Sequence, residues 1–289
     1  MKKRIIAFVL VILAITASVW VSVTYYVPSK LVITSSKLFG KDPYSNQCAQ
    51  FNNKHDFIDQ KDGSLNLLVW NIYKQNKTSA LSSLHEWSGN KQLLMLQEVK
   101  MNKDFQHYLR TETSWLYQHV DAWEYNDEKN GVLTAATVSP TEVCGFRHSE
   151  PWLRLPKSSM LAYYPMRDGS TLAVANIHAI NFTLGVSDYR VQVNNLVSRL
   201  KSHQGPIIFA GDFNSWSDER INVLNQAKET LGLKEVHYEN GEVRKRFLSG
   251  IPLDHVFFRG LEEISTKVLN TDASDHSPIV SEFKVIKPL

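Results

Sequence analysis

The sequence predicts an α/β fold: two packed, mainly antiparallel β-sheets with helices on their outer faces, a four-layer sandwich preceded by one membrane-spanning helix. Three observations predict it. From Leu65 onward, short apolar runs of strand length outnumber stretches with helical periodicity. Several neighbouring runs are joined too tightly for a helical crossover, so they pair antiparallel. Finally, Ile5–Val27 contains no charged residue, and at ~1.5 Å per residue such a stretch crosses a hydrocarbon core of ~30 Å.

Lys2, Lys3 and Arg4 precede this apolar run, while Trp20, Tyr25 and Tyr26 lie towards its far end, where amphipathic rings favour the interface. The positive cluster keeps residues 1–4 in the cytoplasm and makes residues 5–27 a single-pass anchor in the inner membrane. A cleaved signal peptide is the alternative, leaving a periplasmic or secreted protein. Such a peptide has an apolar region of ~7–15 residues ending at small residues; the run here is longer, and Ala14–Ser18 makes a poor cleavage site. Either way the remainder lies outside the cytoplasm. Residues 28–64 are polar and irregular, a linker or lightly packed extension, and residues 65–289 form one domain.

Within that domain the elements follow in order. Leu65–Trp70 and Leu93–Leu96 are apolar enough for strands buried on both faces. Thr78–Trp87 has helical spacing, with Thr78 as its N-cap. Trp115–Val120, Val132–Val138, Ser159–Tyr164 and Thr171–Ile177 read as strands. Asp188–Leu200 places Tyr189, Val193, Leu196, Val197 and Leu200 on one helical stripe. Pro206–Ala210 is a strand, Asp218–Leu231 a helix, and Leu253–Phe258, Ile264–Leu269 and Ile279–Phe283 are further strands.

Composition narrows the function classes. With 43% hydrophobic residues and nearly balanced charge, the 289-residue chain suits a globular protein with a sizeable core. Lys2, Lys3 and Arg4 account for the whole net charge of +3, so charge alone does not argue for a nucleic-acid partner. Cys48 and Cys144 are the only cysteines and show no zinc-site spacing. In an oxidising compartment they can pair, tying the extension to the domain; the sequence leaves that pairing open.

Polar residues recur at strand ends: Asn71, Glu98, His178 with Asn181 three further on, Asp212 and Asn214, Asp254, and the Asp275–His276 pair. Taken singly, each has a plainer explanation. An Asn there is usually a turn residue, Asp212 and Asn214 can cap the next helix, and a lone His is more often structural. Together, Asn71, Glu98, Asp212, Asn214 and Asp275 supply oxygen ligands without thiolates, which suits a hard cation such as Mg²⁺. Two histidines add donors for phosphate oxygens and a leaving group.

The segments WNIYK, LLMLQEV, NIHAINF, IIFAGDFNSW, LDHVFF and ASDHSPI, in this order over residues 65–289, resemble the successive signatures of the endonuclease/exonuclease/phosphatase superfamily. The resemblance implies a deoxyribonuclease I-like fold and a Mg²⁺-dependent hydrolase of phosphate esters, with Mn²⁺ able to substitute. It implies that Glu98, helped by Asn71 and Asp275, holds the metal. Asp212 orients or deprotonates the attacking water, and Asn214 donates to phosphoryl oxygens. His276, oriented by Asp254, stabilises charge on the phosphate; His178 protonates the departing oxygen; Asn181 contacts the phosphate. Some members place an arginine near the phosphate. Arg147, Arg154 and Lys157 lie in the corresponding region, and Arg154 is the candidate for that place, with a plain surface side chain at least as good a reading. Trp115, Trp123 and Trp152 line a substrate groove or, more plainly, pack in the core.

Nucleic acid is the leading substrate class implied. A lipid phosphodiesterase of the sphingomyelinase kind, or a phosphoinositide or small-molecule phosphatase, is the alternative; the expected anchor favours a phospholipid, but no hydrophobic loop for bilayer entry is evident after residue 65. A non-catalytic, membrane-tethered binding module is a further alternative, disfavoured because Glu98, His178, Asp212 and His276 are all present. A calcineurin-like two-metal phosphoesterase lacks its D-x-H and G-N-H signatures here. No protein partner is expected.

Overall fold

The computed structural model describes residues 16, 24–36, 47–53, 56–151, 154–183, 185–239, 243–246 and 248–286. Two seven-stranded sheets dominate it. The first runs in the order β1 (Ile33–Ser35), β5 (Leu116–Tyr125), β6 (Glu128–Ala136), β4 (Leu93–Lys100), β3 (Ser64–Asn71), β14 (Ile279–Val285) and β13 (Leu261–Val268). The second runs β11 (Lys234–Glu235), β12 (Asp254–Arg259), β10 (Ile207–Asp212), β9 (Thr171–His178), β8 (Pro156–Pro165), β7 (Glu142–Ser149) and β2 (Cys48–Gln50). Pairing is antiparallel except at the centres, where β3 runs parallel to β4 and β9 parallel to β10. Each parallel pair spans a helix, as a βαβ unit requires: α1 (Ala80–Ser88) joins β3 to β4, and α3 (Ser187–Leu200) joins β9 to β10.

The apolar runs explain the layering. Because side chains alternate across a strand, Leu65, Leu67, Val69, Leu93 and Met95 meet Leu172, Val174, Ile208 and Ala210 between the sheets. Their neighbours Leu68, Trp70, Leu94 and Leu96 face the other way, under Leu84 of α1 and Phe105 of α2 (Lys103–His107). On the second sheet Ala173, Ala175, Ile177, Ile207 and Phe209 pack beneath Tyr189, Val193 and Leu196 of α3 and Val223 and Leu224 of α4 (Asp218–Leu231). Strands covered on both faces carry no polar alternation, which is why they read as continuous hydrophobic runs.

Two expectations need correction, and one strand went unread. The stretch 28–64, expected as a linker or light extension, adds β1 and β2 to the edges of the two sheets and buries Ile33 and Ile58 in the central core. Three-residue strands are too short for an alternation to be read. Strand β7 escaped the sequence reading because Glu142, Gly145, Arg147 and His148 interrupt its apolar residues. The N-cap of α1 is Ser79 rather than Thr78, since Lys77–Ala80 forms a turn ahead of the helix. Cys48 and Cys144, cross-strand neighbours on β2 and β7, form a disulfide. Among the described residues no helix is long and apolar enough to cross a membrane; of the expected span 5–27, all but residues 16 and 24–27 lie outside the described residues.

Candidate active site

Both parallel strand pairs end at the same cleft. Asn71 pairs in register with Gln97, the residue before Glu98, and Asp212 pairs with His178 on one side and Asp254 on the other. Packing the sheets face to face brings these ends together. Asp212 is at the centre: its Oδ2 accepts a hydrogen bond from Asn71 Nδ2 at 3.0 Å and lies 3.6 Å from His178 Nε2 and 3.9 Å from His276 Nε2. Glu98 Oε1 approaches the same His178 nitrogen at 3.6 Å. Side chains 141 residues apart in sequence thus meet directly.

Local backbone features aim each group. Glu98 has φ 51° and sits where the β4–β6 register slips between Leu96 and Val99, a bulge that redirects its carboxylate. Asn214 has φ 46°, a conformation Asn tolerates better than most residues. Its backbone N–H donates to Asp212 Oδ1 at 2.9 Å and its Nδ2 to Ala179 O at 2.9 Å. Gly211, φ 140°, lets β10 pass close to β9; a Cβ there would lie 2.1 Å from Ile177 O. His276 is held on one side by Asp254, whose Oδ2 lies 2.7 Å from Nδ1, and its carbonyl accepts from Trp70 Nε1 at 2.9 Å. Asn181 accepts from Trp216 Nε1 at 2.9 Å through its Oδ1.

After Asn71 the chain makes a turn in which Tyr73, Lys74 and Gln75 have φ of 49°, 56° and 51°. Left-handed conformation costs an L-residue on the order of 1–2 kcal/mol, so other bonds must hold the turn. Tyr73 N–H donates to Asn71 Oδ1 at 3.1 Å, and Gln75 Oε1 accepts from Lys100 N at 3.2 Å. The turn delivers Lys74 to Glu98, whose Oε2 it ion-pairs. Lys157 Nζ lies 3.9 Å from the other oxygen.

These surroundings set the charges. Burial opposes ionisation of Glu98, yet Lys157 and Lys74 hold it well below the usual carboxylate range. Burial raises Asp212 to about 6, with Asp254 adding to the effect against His276 and the hydrogen bonds from Asn214 and Asn71. Burial works against charge on His276, but Asp254 and Asp212 raise it to about 10. His178 goes the other way: burial and the Lys157 charge push it well below the usual imidazole range, so it is neutral near pH 7. The site therefore holds one charged and one neutral imidazole around a carboxylate that titrates near neutrality.

Most residues singled out from sequence converge here: Asn71, Glu98, His178, Asp212, Asn214, Asp254 and His276, with Asn181 held to Trp216 beside them. Asp275 does not join the buried group. Successive residues of a turn point apart, so burying His276 leaves Asp275 exposed, ion-paired with Lys245 at 3.7 Å. Arg154 sits on the exposed loop before β8, its N–H bonded to Glu150 O at 2.9 Å; the cation this segment brings to Glu98 is Lys157. Trp115 is partly buried and packs against the apolar cluster on the outer face of the first sheet, whereas Trp123 lines a slot beside Glu98 and His178; Trp152 lies outside the described residues.

Two residues escaped the sequence reading. Lys74 follows the strand-end Asn but carried no separate signal. Arg220, buried in the first turn of α4, donates through Nη1 to Ile180 O and Asn214 O, both 2.8 Å, and through Nη2 to Asn181 O at 2.8 Å and Thr183 Oγ1 at 2.9 Å. Tyr189 and Trp216 flank its guanidinium, with ring centroids 4.5 and 4.4 Å away. One side chain thus joins the loop after His178 to the loop after Asp212.

The donor chemistry fits a divalent ion. Asp212, Asp254 and His276 bring ligand-type atoms within 4.8 Å of one another, a set that could hold a metal. Asp254 is already committed to His276 Nδ1, however. Glu98, ionised and drawing two ammonium groups, is the carboxylate that attracts cations, and the Asn71 amide oxygen, which accepts from Tyr73 N–H, keeps a second lone pair.

Two packed sheets with parallel centres, helices outside and an acid–imidazole cluster across their joined ends define an α/β sandwich of the deoxyribonuclease I-like class. The chain belongs to the endonuclease/exonuclease/phosphatase family, whose model matches residues 68–276. It is 41% identical over 280 residues to the UPF0294 protein of Vibrio campbellii, covering 96% of this chain and 97% of that one. Among solved structures it resembles an endonuclease/exonuclease/phosphatase family protein from Leptotrichia buccalis with a TM-score of 0.59 at 13% identity, covering 76% of this chain and 99% of the other. D. rerio TDP2 complexed with a single-strand DNA product gives 0.58 at 17% identity, covering 78% and 100%. At such identities the structural likeness concerns the fold.

Proposed function

We propose that this protein is a Mg²⁺-dependent phosphodiesterase acting on nucleic acid, with Mn²⁺ able to replace Mg²⁺. The observation that carries the reading is the convergence on Asp212 Oδ2 of Asn71, His178 and His276. Membership of a family of phosphate-ester hydrolases supports it. Glu98 and Asn71 would hold the ion, which when bound would supply positive charge to offset the negative charge of the phosphate. Asp212, raised to about 6, orients the attacking water and takes its proton. Asn214 and the charged His276 donate to the phosphoryl oxygens, and Asp254 fixes the His276 ring. His178 passes a proton to the departing oxygen, relayed from solvent because the resting ring is neutral.

A specific contact favours a second reading, hydrolysis of a phospholipid headgroup. Tyr26, next to the end of the apolar N-terminal run, bridges to Glu124, and Tyr25 packs on Trp123 with ring centroids 5.1 Å apart. Trp123 in turn lines the slot beside Glu98. If residues 5–27 anchor the chain, the catalytic domain lies outside the cytoplasm close to the bilayer, and the Cys48–Cys144 bridge supports that oxidising location. The test is to incubate the purified full-length protein and Mg²⁺ with plasmid DNA, RNA, sphingomyelin and phosphoinositides. Cleavage of DNA or RNA is expected; turnover confined to lipids overturns the nucleic-acid assignment.

A further inference from the structure

We propose that Lys74 has two successive partners: it neutralises Glu98 before the divalent ion arrives, then yields that carboxylate and serves the substrate phosphate. The inference rests on the metal-dependent reading above and supplies the phosphate-facing cation that Arg154 does not.

The geometry makes ammonium and metal ion alternatives. Lys74 Nζ ion-pairs Glu98 Oε2 while Lys157 stands 3.9 Å from Oε1. An ammonium offers only donors, so the lone pair it engages is lost to a metal. Mg²⁺ needs its oxygens at ~2.0–2.1 Å, and an ammonium ion-paired to Glu98 Oε2 repels a divalent ion brought that close to the same carboxylate. The slot lined by Lys74, Glu98, Trp123, Asn130, Lys157 and His178 holds about 20 Å³, room for roughly one water-sized occupant. The slot thus has room for an arriving ion, and that ion and Lys74 compete for the same carboxylate.

Lys74 is the group built to leave. Its side chain is 32% exposed, against 17% for Glu98, and its four-carbon stem lets the ammonium swing while the backbone stays put. The backbone is pinned by Tyr73 N–H on Asn71 Oδ1, Gln75 N–H on Ile72 O at 2.9 Å, and Lys100 N–H on Gln75 Oε1. The left-handed turn thus fixes the base of a movable cation at the mouth of the cleft. Displaced from Glu98, the ammonium stays at the slot it lines with His178 and Lys157, free to meet the negative charge of a substrate phosphate.

The test compares wild type with Lys74→Met and Lys74→Arg. Mn²⁺ binding to the metal-stripped proteins is followed by calorimetry, and KM for a phosphodiester is measured at saturating Mg²⁺. Removing the competing charge should tighten Mn²⁺ binding about tenfold in Lys74→Met and raise its KM by a similar factor; Lys74→Arg should resemble wild type in Mn²⁺ affinity. Equal Mn²⁺ affinity in wild type and Lys74→Met overturns the exchange, and an unchanged KM overturns the phosphate role. If neither protein binds Mn²⁺ and turnover survives chelation, the metal-dependent reading has failed and the exchange falls with it.

Discussion

Asp254 Oδ2 lies 2.7 Å from His276 Nδ1, with both residues buried at the joined ends of β12 and the segment before β14. The carboxylate fixes the ring so that Nε2 faces Asp212. It also helps raise His276 to about 10 against the effect of burial, far above the ~6.5 expected unfolded. The folded protein therefore binds the extra proton. The resulting stabilisation is complete below about pH 6.5 and is lost as pH rises through about 10. In chelator, Asp254→Ala should cost about 3 kcal/mol at pH 6, measured by urea unfolding, and the gap from wild type should narrow as pH rises from about 6.5 through about 10. A constant gap would contradict the pairing as its source.

Asp212 receives contacts from both sheets and should dominate turnover. Asp212→Ala is expected to lose ~10²–10⁴-fold in kcat/KM with an unchanged circular dichroism spectrum. EDTA should stop the wild-type enzyme, and Mg²⁺ or Mn²⁺ should restart it. Glu98→Gln should need markedly more metal for half-maximal rate. Full activity in EDTA would remove the ion from the reaction.

Arg220 touches no reacting group, yet it joins the loops carrying Asn181 and Asn214. Arg220→Met should destabilise by roughly 2–4 kcal/mol, the scale for losing several charge-assisted hydrogen bonds in a buried site. It should lower kcat more than it raises KM, because the groups it aligns act in the transition state. Arg220→Lys should restore little, since one ammonium cannot reach four acceptors that a planar guanidinium spans. Wild-type kcat in either variant would show that the loops hold themselves.

The Cys48–Cys144 bridge closes a sequence separation of 96 residues. Loops of this length lose enough chain entropy on cross-linking to be worth about 2–5 kcal/mol. Cys48→Ser/Cys144→Ser should melt several degrees lower. KM should not change, because β2 and β7 occupy the sheet edge away from β10 and β12.

Much of this was legible because strand ends and chemistry coincide. LNLLVW before Asn71 and PIIFAG before Asp212 mark fully buried strands, and a polar residue straight after such a strand has to emerge at a cleft. Residues 33–35 and 48–50 were illegible because a three-residue edge strand has no periodicity; its pairing is set by the partner strand. Lys74 was illegible for a different reason. Its position depends on a left-handed turn of Tyr73, Lys74 and Gln75, none of them a glycine that would flag such a conformation. Arg220 was hidden because a cation in the first turn of an amphipathic helix reads as solvated, whereas three of its four acceptors are backbone carbonyls that no sequence pattern displays. Asp275 misled by adjacency: the residue beside a buried histidine inherits the opposite direction.

The division of the cleft between two sheets has a consequence for how competence arises during folding. Asn71 and Glu98 come from the first βαβ unit, His178 and Asp212 from the second, so neither unit holds a working set of groups by itself. A nascent chain stays chemically silent until the later unit docks, and a proteolytic fragment containing either one is inert. Recovery of turnover after denaturation is therefore expected to report the docking of the two units, which spectroscopy of strands or helices alone would not single out.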